Sequence, residues 1–162
     1  MLYAAYGSNM NLEQMKRRCP NSRRVCNGLI ENYKLVFNVH LDIVPKKKSM
    51  VPVVLWEIDE FDWSSLDFYE GYPAYYIREV VDVVLENGKK TKAIVYVMTE
   101  SCKGISPPSK HYFDACLDGC RANGIDSETL YSALADSFFN ETYYNQYNPR
   151  KGKKAKYGRY TA

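Results

Sequence analysis

Leu2-Tyr3-Ala4-Ala5-Tyr6-Gly7-Ser8-Asn9-Met10-Asn11-Leu12-Glu13-Gln14 is the stretch from which the fold is read. Leu2 to Tyr6 is a short apolar and aromatic run, which predicts a strand, and Gly7 ends it. Asn11 is suited to cap a helix, and Gln14 is placed to close a capping box. The prediction is strand, tight loop, helix. In such a passage Gly7-Ser8-Asn9 can cradle a small anion, because glycine permits close backbone approach and free amides at a helix start attract negative charge. The same residues are also ordinary turn formers.

Outward from this unit, residues 24 to 40 alternate apolar and polar side chains around Gly28 and Asn32, which predicts two strands. Lys46, Lys47 and Lys48 mark an exposed connection. Met50 to Ile58 reads as a further strand whose start Pro52 pushes toward an edge or a bulge. Asp59 is placed to cap a helix over Glu60 to Tyr69, with Phe61, Leu66, Phe68 and Tyr69 as its apolar surface and Gly71 as its end. Tyr75 to Leu85 and Thr91 to Met98 are rich in valine, isoleucine and tyrosine and flank Asn87-Gly88, the signature of a hairpin with a type I′ turn. Ser106-Pro107-Pro108 is a loop, Ser109 caps a helix reaching Asn123, and Gly124 terminates it. A last helix, Ser127 to Phe139, carries Leu130, Leu134 and Phe138 on one face. Strands and helices do not alternate regularly and no internal repeat is present. The expected class is α+β, a compact, partly closed mixed sheet or barrel with flanking helices.

The 162 residues, 46% of them hydrophobic, suit one domain with its own core. The net charge is +3, yet Arg150, Lys151, Lys153, Lys154, Lys156 and Arg159 crowd the end of the chain, so the remainder stands at −3. A mildly acidic body argues against nucleic acid or an anionic membrane as the main partner. Five cysteines, an odd number without C-x-x-C pairs or neighbouring histidines, predict reduced thiols, no disulfide framework and no metal site. Cys116 and Cys120, four apart, read as buried on one helix. This usage suits a reducing, cytoplasmic location, and neither an export signal nor an apolar membrane span is expected.

Glu70 stands among Glu57, Asp59, Glu60, Asp62 and Asp67 and is distinguished by its setting. Tyr69, Tyr72, Pro73, Tyr75 and Tyr76 surround it in sequence, and it falls at the negative end of a predicted helix. Both features favour the protonated carboxyl and raise its pKa toward the range of a general base. A solvated turn glutamate is the plain alternative.

The segment Leu2 to Met10 resembles the N-terminal motif of γ-glutamylcyclotransferases, and Leu66-Asp67-Phe68-Tyr69-Glu70-Gly71 is similar to the segment bearing their catalytic glutamate. Ile94 to Thr99 resembles the strand after their hairpin. Pro107-Pro108-Ser109 with Tyr112, Cys116, Gly119, Asn123 and Gly124 resembles the loop and helix that follow. Met10 stands where leucine is common, a volume-conserving change. The resemblance implies cofactor-free cyclisation of a γ-glutamyl group to 5-oxoproline with release of an amino acid or amine. Glu70 would be its acid and base. Tyr3, Ala4, Ala5, Tyr6, Gly7, Ser8 and Asn9, with Tyr96 and Tyr112, would bind the small γ-glutamyl substrate. It also implies a homodimer. The run from Glu70 to Arg78 resembles γ-glutamylamine cyclotransferases and plant defence-induced relatives as well, so the leaving group stays open. Arg78 could pair with an acid or reach a substrate carboxylate.

The expected catalytic domain spans 1–140. Residues 141–162 form a basic, tyrosine-rich tail beyond the resemblance, either solvated or a strip for nucleic acid or phosphate. The rival to the enzyme is thus a binding protein on the same fold that uses this tail.

Overall fold

The expected strand, loop and helix at the start of the chain are present as β1 (Leu2–Ala5), a short 3-10 turn (Ser8–Met10) and α1 (Leu12–Arg18). The computed structural model describes residues 1–147, with side chains through Phe139. The Asn11 side chain accepts from the Gln14 amide at 3.0 Å. The box stays half made, because the Asn11 amide donates to Ser8 and Gln14 Oε1 is buried without a partner among the described residues.

Two long strands follow, β2 (Arg23–Asn38) and β3 (His40–Glu57). The expected pair of strands over 24–40 is one strand. Gly28 does not break it, since Val83 Cγ1 fills the space where a Cβ would sit, 2.5 Å away. Asn32, at φ 62°, makes a bulge rather than a turn. There the register jumps from Glu31↔Met50 to Tyr33↔Pro45, so Lys46, Lys47 and Lys48 bulge outward, exposed but inside β3 rather than between two strands. Pro52 lacks an amide to donate, and it lies beyond Val54, where the pairing with β1 ends; the edge-like position expected for it is met.

The remaining elements are α2 (Asp62–Glu70), β4 (Tyr76–Leu85), β5 (Lys90–Met98), α3 (Lys110–Ala122) and α4 (Glu128–Tyr147). The strands form a closed barrel in the order β1-β3-β2-β4-β5. The ring closes through one parallel register, Tyr3↔Ile94, so the sheet is more complete than the partly closed form expected. The hairpin of β4 and β5 is as predicted, but its turn is not type I′. Gly88 alone has positive φ, 77°, and its amide closes a turn on the Leu85 carbonyl at 2.8 Å. A three-residue loop with a left-handed glycine results, because Asn87 keeps negative φ.

Helix α2 departs most from the sequence pattern. It starts three residues later than Asp59, without a side-chain cap. Phe61 and Phe68 are 77% and 89% exposed, and Leu66 is the apolar residue it buries. Polar ties replace an apolar face. Asp62 accepts from the Asn21 amide (2.9 Å), the Asn21 side chain (3.2 Å) and Ser22 Oγ (2.8 Å). Asp67 pairs with Arg78 at 2.6 Å. The Asp62 bonds hold the start of α2, while the Asp67–Arg78 pair and the burial of Leu66, worth about 1.5–3 kcal/mol, hold the half that ends in Glu70. Helix α3 begins as expected at the Ser109 cap, whose Oγ accepts from the Tyr112 amide at 3.2 Å. Helix α4 continues past Phe139 to Tyr147. The rest of the tail lies outside the described residues.

Between β2 and β3 the chain reverses at Val39, which has φ 67°. A β-branched residue is costly in that conformation. It is held there by the Val39 amide on Ser106 O (3.0 Å) and the Ser106 amide on Phe37 O (3.0 Å). Val39→Asn, which tolerates positive φ, is expected to stabilise the protein by about 1 kcal/mol. The check is a urea midpoint that rises at unchanged slope.

Candidate active site

Glu70 is the last residue of α2, and Gly71 follows in the left-handed conformation (φ 67°) with its amide turned back to Phe68 O and Asp67 O. This turn ends the helix and directs the Glu70 side chain into a small cavity lined by Tyr3, Tyr6, Gly7, Ser8, Asn9, Leu41, Glu70, Tyr76, Tyr96 and Tyr112. The residues come from β1, the 3-10 turn, β3, α2, β4, β5 and α3. A larger apolar pocket lies elsewhere, along β2, β4 and the start of α4. It contains no buried carboxyl, and the chemistry points to the smaller cavity.

Within the cavity, Asn9 Nδ2 donates to Glu70 Oε1 (2.6 Å) and to Tyr3 Oη (3.0 Å). The amide is oriented from behind, because Arg18 donates to Asn9 Oδ1. Arg18 also reaches Ser8 Oγ at 3.4 Å and lies 3.4 Å from the centroid of the Tyr69 ring. With its oxygen committed to Arg18, Asn9 presents only N–H groups to the carboxyl. Burial pushes the Glu70 pKa up to about 7, while the Arg18 charge and hydrogen bonds from Asn9 and Tyr3 hold it from rising further. At that value the group can take and return a proton near neutral pH.

The tyrosines divide into two kinds. Tyr6 Oη donates to the Tyr96 carbonyl at 2.6 Å and Tyr76 Oη to the Leu41 carbonyl at 2.7 Å, so both hydroxyl protons are used in joining strands. Tyr112 Oη accepts from the Leu41 amide at 3.2 Å, and its hydroxyl also lies within hydrogen-bonding reach of the Cys116 thiol. Burial raises the Tyr3, Tyr6 and Tyr112 pKa values well above normal, so these phenols stay neutral. Tyr96 Oη donates to Asp67 Oδ1 at 2.6 Å, and Arg78 Nε meets the same oxygen at 2.8 Å. Arg78 is thus an anchor for an acid, the first of the two roles open to it.

Each expected contact residue except two lines the cavity. Ala4 and Ala5 are fully buried in β1, paired with Leu55 and Val54, and their side chains point to opposite faces of the strand, so they pack the two sides of the barrel wall beside the cavity. The sequence pattern did not single out Arg18, Leu41 or Asp42. Asp42 is buried, and its Oδ1 accepts the Ile43 (2.9 Å) and Met98 (3.0 Å) amides, joining β3 to β5. The position of Arg18 at the end of α1, nine residues after Asn9, was the available signal. Tyr69 and Tyr72, expected to enclose Glu70, are each 44% exposed. The enclosing rings are Tyr3, Tyr6, Tyr76, Tyr96 and Tyr112, of which Tyr76 alone is a sequence neighbour.

Gly7 brings its backbone against Tyr112, whose Oη lies 3.1 Å from where a Cβ would be. None of the Gly7, Ser8 and Asn9 amides donates to another described residue. The loop is held from the far side by α3. Asn123 Nδ2 donates to Met10 O (2.8 Å) and Gly119 O (2.7 Å). A Cβ on Gly119 would meet Met10 Cβ at 2.9 Å and the Asn11 amide nitrogen at 3.0 Å. Gly119→Ala must therefore push the loop or the helix and is expected to cost about 1–3 kcal/mol. A thermal unfolding midpoint that falls accordingly checks it.

Residues 3–114 match the family described as gamma-glutamyl cyclotransferase, AIG2-like. The chain is 35% identical over 85 residues to a Methanocaldococcus jannaschii protein provisionally named gamma-glutamylcyclotransferase, covering 52% of this chain and 70% of that one. It is 28% identical over 140 residues to the gamma-glutamylcyclotransferase of Homo sapiens, covering 78% and 73%. A solved structure described as a gamma-glutamyl cyclotransferase superposes with a TM-score of 0.73 at 24% identity over 100% of this chain and 91% of that one, a likeness of fold.

Proposed function

The chain belongs to the gamma-glutamyl cyclotransferase, AIG2-like family, and from that membership we propose that it cyclises a γ-glutamyl group to 5-oxoproline, with Glu70 as base and then acid. The α-amino nitrogen of the substrate attacks its own γ-carbonyl carbon, the bond from that carbon to the leaving nitrogen breaks, and an amino acid or amine departs. The nucleophile is tethered, so holding the chain in its cyclising conformer can contribute up to about 7–11 kcal/mol. Glu70 takes the proton that the α-nitrogen loses and returns it to the leaving nitrogen. No water is consumed and no redox change occurs.

The observation that carries this reading is the Glu70 carboxyl, enclosed by tyrosines and raised to about 7. A solvated surface glutamate would be a weaker base at the same pH and would lack an enclosure for substrate. The Gly7, Ser8 and Asn9 amides are the donors for a substrate carboxylate or for the oxyanion that develops on the γ-carbonyl. Tyr112, whose hydroxyl borders the cavity and can turn from the Cys116 thiol to the substrate, is the further donor. Arg18 acts through Asn9, which it orients. Tyr3 limits how far the Glu70 pKa climbs, Tyr6 and Tyr96 are walls, and Ala4 and Ala5 pack the two faces of β1.

The test is a panel of γ-glutamyl amino acids, γ-glutamyl amines and glutathione scored by 5-oxoproline release. Turnover of at least one class is expected, and silence across the panel by folded protein would remove the reading.

A further inference from the structure

The apolar pocket away from Glu70 is assigned no role by the chemistry above. Its walls are Leu29, Met50, Pro52, Val84, Leu85 and Ile125, with Glu86, Asp126 and Glu128 at its edge. Leu29 and Met50 are 37% and 53% exposed, so apolar surface faces solvent beside three carboxylates. Glu31, Glu57, Asp82, Glu100 and Asp114 each pair with a lysine or arginine, whereas Glu86, Asp126 and Glu128, like the exposed Glu13, Glu60 and Glu79, have no ion pair among the described residues. What sets the three apart is that they border one apolar pocket.

An occupant must therefore bring an apolar or aromatic body and several positive charges. Residues 148–162 carry Arg150, Lys151, Lys153, Lys154, Lys156 and Arg159 with Tyr157 and Tyr160, and no acid. Their reach is sufficient. Helix α4 begins at the pocket with Glu128 and Thr129 and runs 20 residues to Tyr147, a rise of about 30 Å. Ten extended residues span about 33 Å, which returns the chain to the pocket at Tyr157. We infer that the C-terminal segment of this chain docks in its own β2–β4 pocket, a tyrosine ring against Leu29, Met50 and Ile125 and its lysines and arginines against Glu86, Asp126 and Glu128. Tethering gives the segment an effective concentration of about millimolar order, so a contact too weak to hold a free peptide suffices. Its role is to cover the seam where β2 meets β4 by three residue pairs, Gly28↔Leu85 to Ile30↔Val83.

The experiment uses the full chain with a benzophenone amino acid in place of Tyr157, free of nucleic acid, as an equal mixture of light and heavy isotope-labelled copies. Irradiation is expected to join position 157 to peptides containing Leu29, Met50 or Ile125 within one copy. Loss of that product is expected at high salt and in the triple variant Glu86→Lys, Asp126→Lys, Glu128→Lys. Asp126 accepts the Glu128 amide, so that variant could disturb the start of α4. The tail variant Lys156→Glu, Arg159→Glu makes the same test without touching the barrel, and it should lose the product too. Products joining light to heavy copies, products on another surface, no product, or a product indifferent to both charge reversals would each overturn the inference.

Discussion

Glu70→Gln is expected to lower kcat/KM for any γ-glutamyl substrate that the wild-type protein turns over by about 10²–10⁴-fold, the usual worth of a positioned proton-transfer group. The substitution preserves shape, and its Oε1 can still accept from Asn9, so the loss reads proton transfer rather than collapse of the site. For the wild type, kcat/KM should rise with pH through about 7 as the Glu70 carboxyl ionises, and the residual activity of the variant should lack that limb. A folded variant with undiminished turnover, or one that keeps the limb, would take Glu70 out of the reaction.

The same substitution should stabilise the protein above neutral pH. Burial holds the folded-state pKa of Glu70 at about 7 against 4.5 for the free group. Between those values the folded protein binds more protons than the unfolded chain, so stability falls as pH rises from about 4.5 and levels off once the folded carboxyl has ionised. At about 1.4 kcal/mol per pKa unit, the accumulated cost approaches about 3 kcal/mol. The amide introduced by Glu70→Gln does not ionise and escapes that cost. The melting temperature of the variant at pH 8 should exceed that of the wild type by roughly 6–12 °C for a chain of this size, and the difference should shrink toward pH 4. A gap of equal size at both pH values would show that the carboxyl is not held out of water in its charged form.

Together the two outcomes describe a group kept where its charge is costly. Asn9, Arg18 and Tyr3 moderate that cost without cancelling it, which leaves the carboxyl able to change protonation state near neutrality. A tighter ion pair would fix the charge on Glu70 and end its usefulness as an acid.

Legibility in the sequence followed the range of the interactions. The β1, loop and α1 unit, the β4–β5 hairpin, and helix α3 with its Ser109 cap were readable, because period, capping and turn chemistry act over a few residues. The single strand over Arg23–Asn38 was not, since what fills the space above Gly28 is Val83, from a strand far along the chain. The turn at Asn87-Gly88 was read to the right place and the wrong type. The choice between two positive-φ residues and one depends on loop length. At α2 the pattern misled outright: Phe61 and Phe68 face solvent while Asp62 is buried on Asn21 and Ser22.

Local chemistry along the chain dictates that Gly7 lies between a strand and a helix and that Glu70 closes a helix before a left-handed glycine, for the residues beside each position impose those conformations. The family, too, is written in the chain, through four blocks of residues in one order. What surrounds the carboxyl is a matter of folding alone, because burial of a charge depends on every strand of the barrel that contributes a wall. The rings that enclose Glu70 come from Tyr3, Tyr6, Tyr96 and Tyr112 as well as the neighbouring Tyr76, and the cation that orients its partner is Arg18. Apart from Tyr76, none of these is near position 70 in sequence, and closure of the barrel brings them within reach of one another.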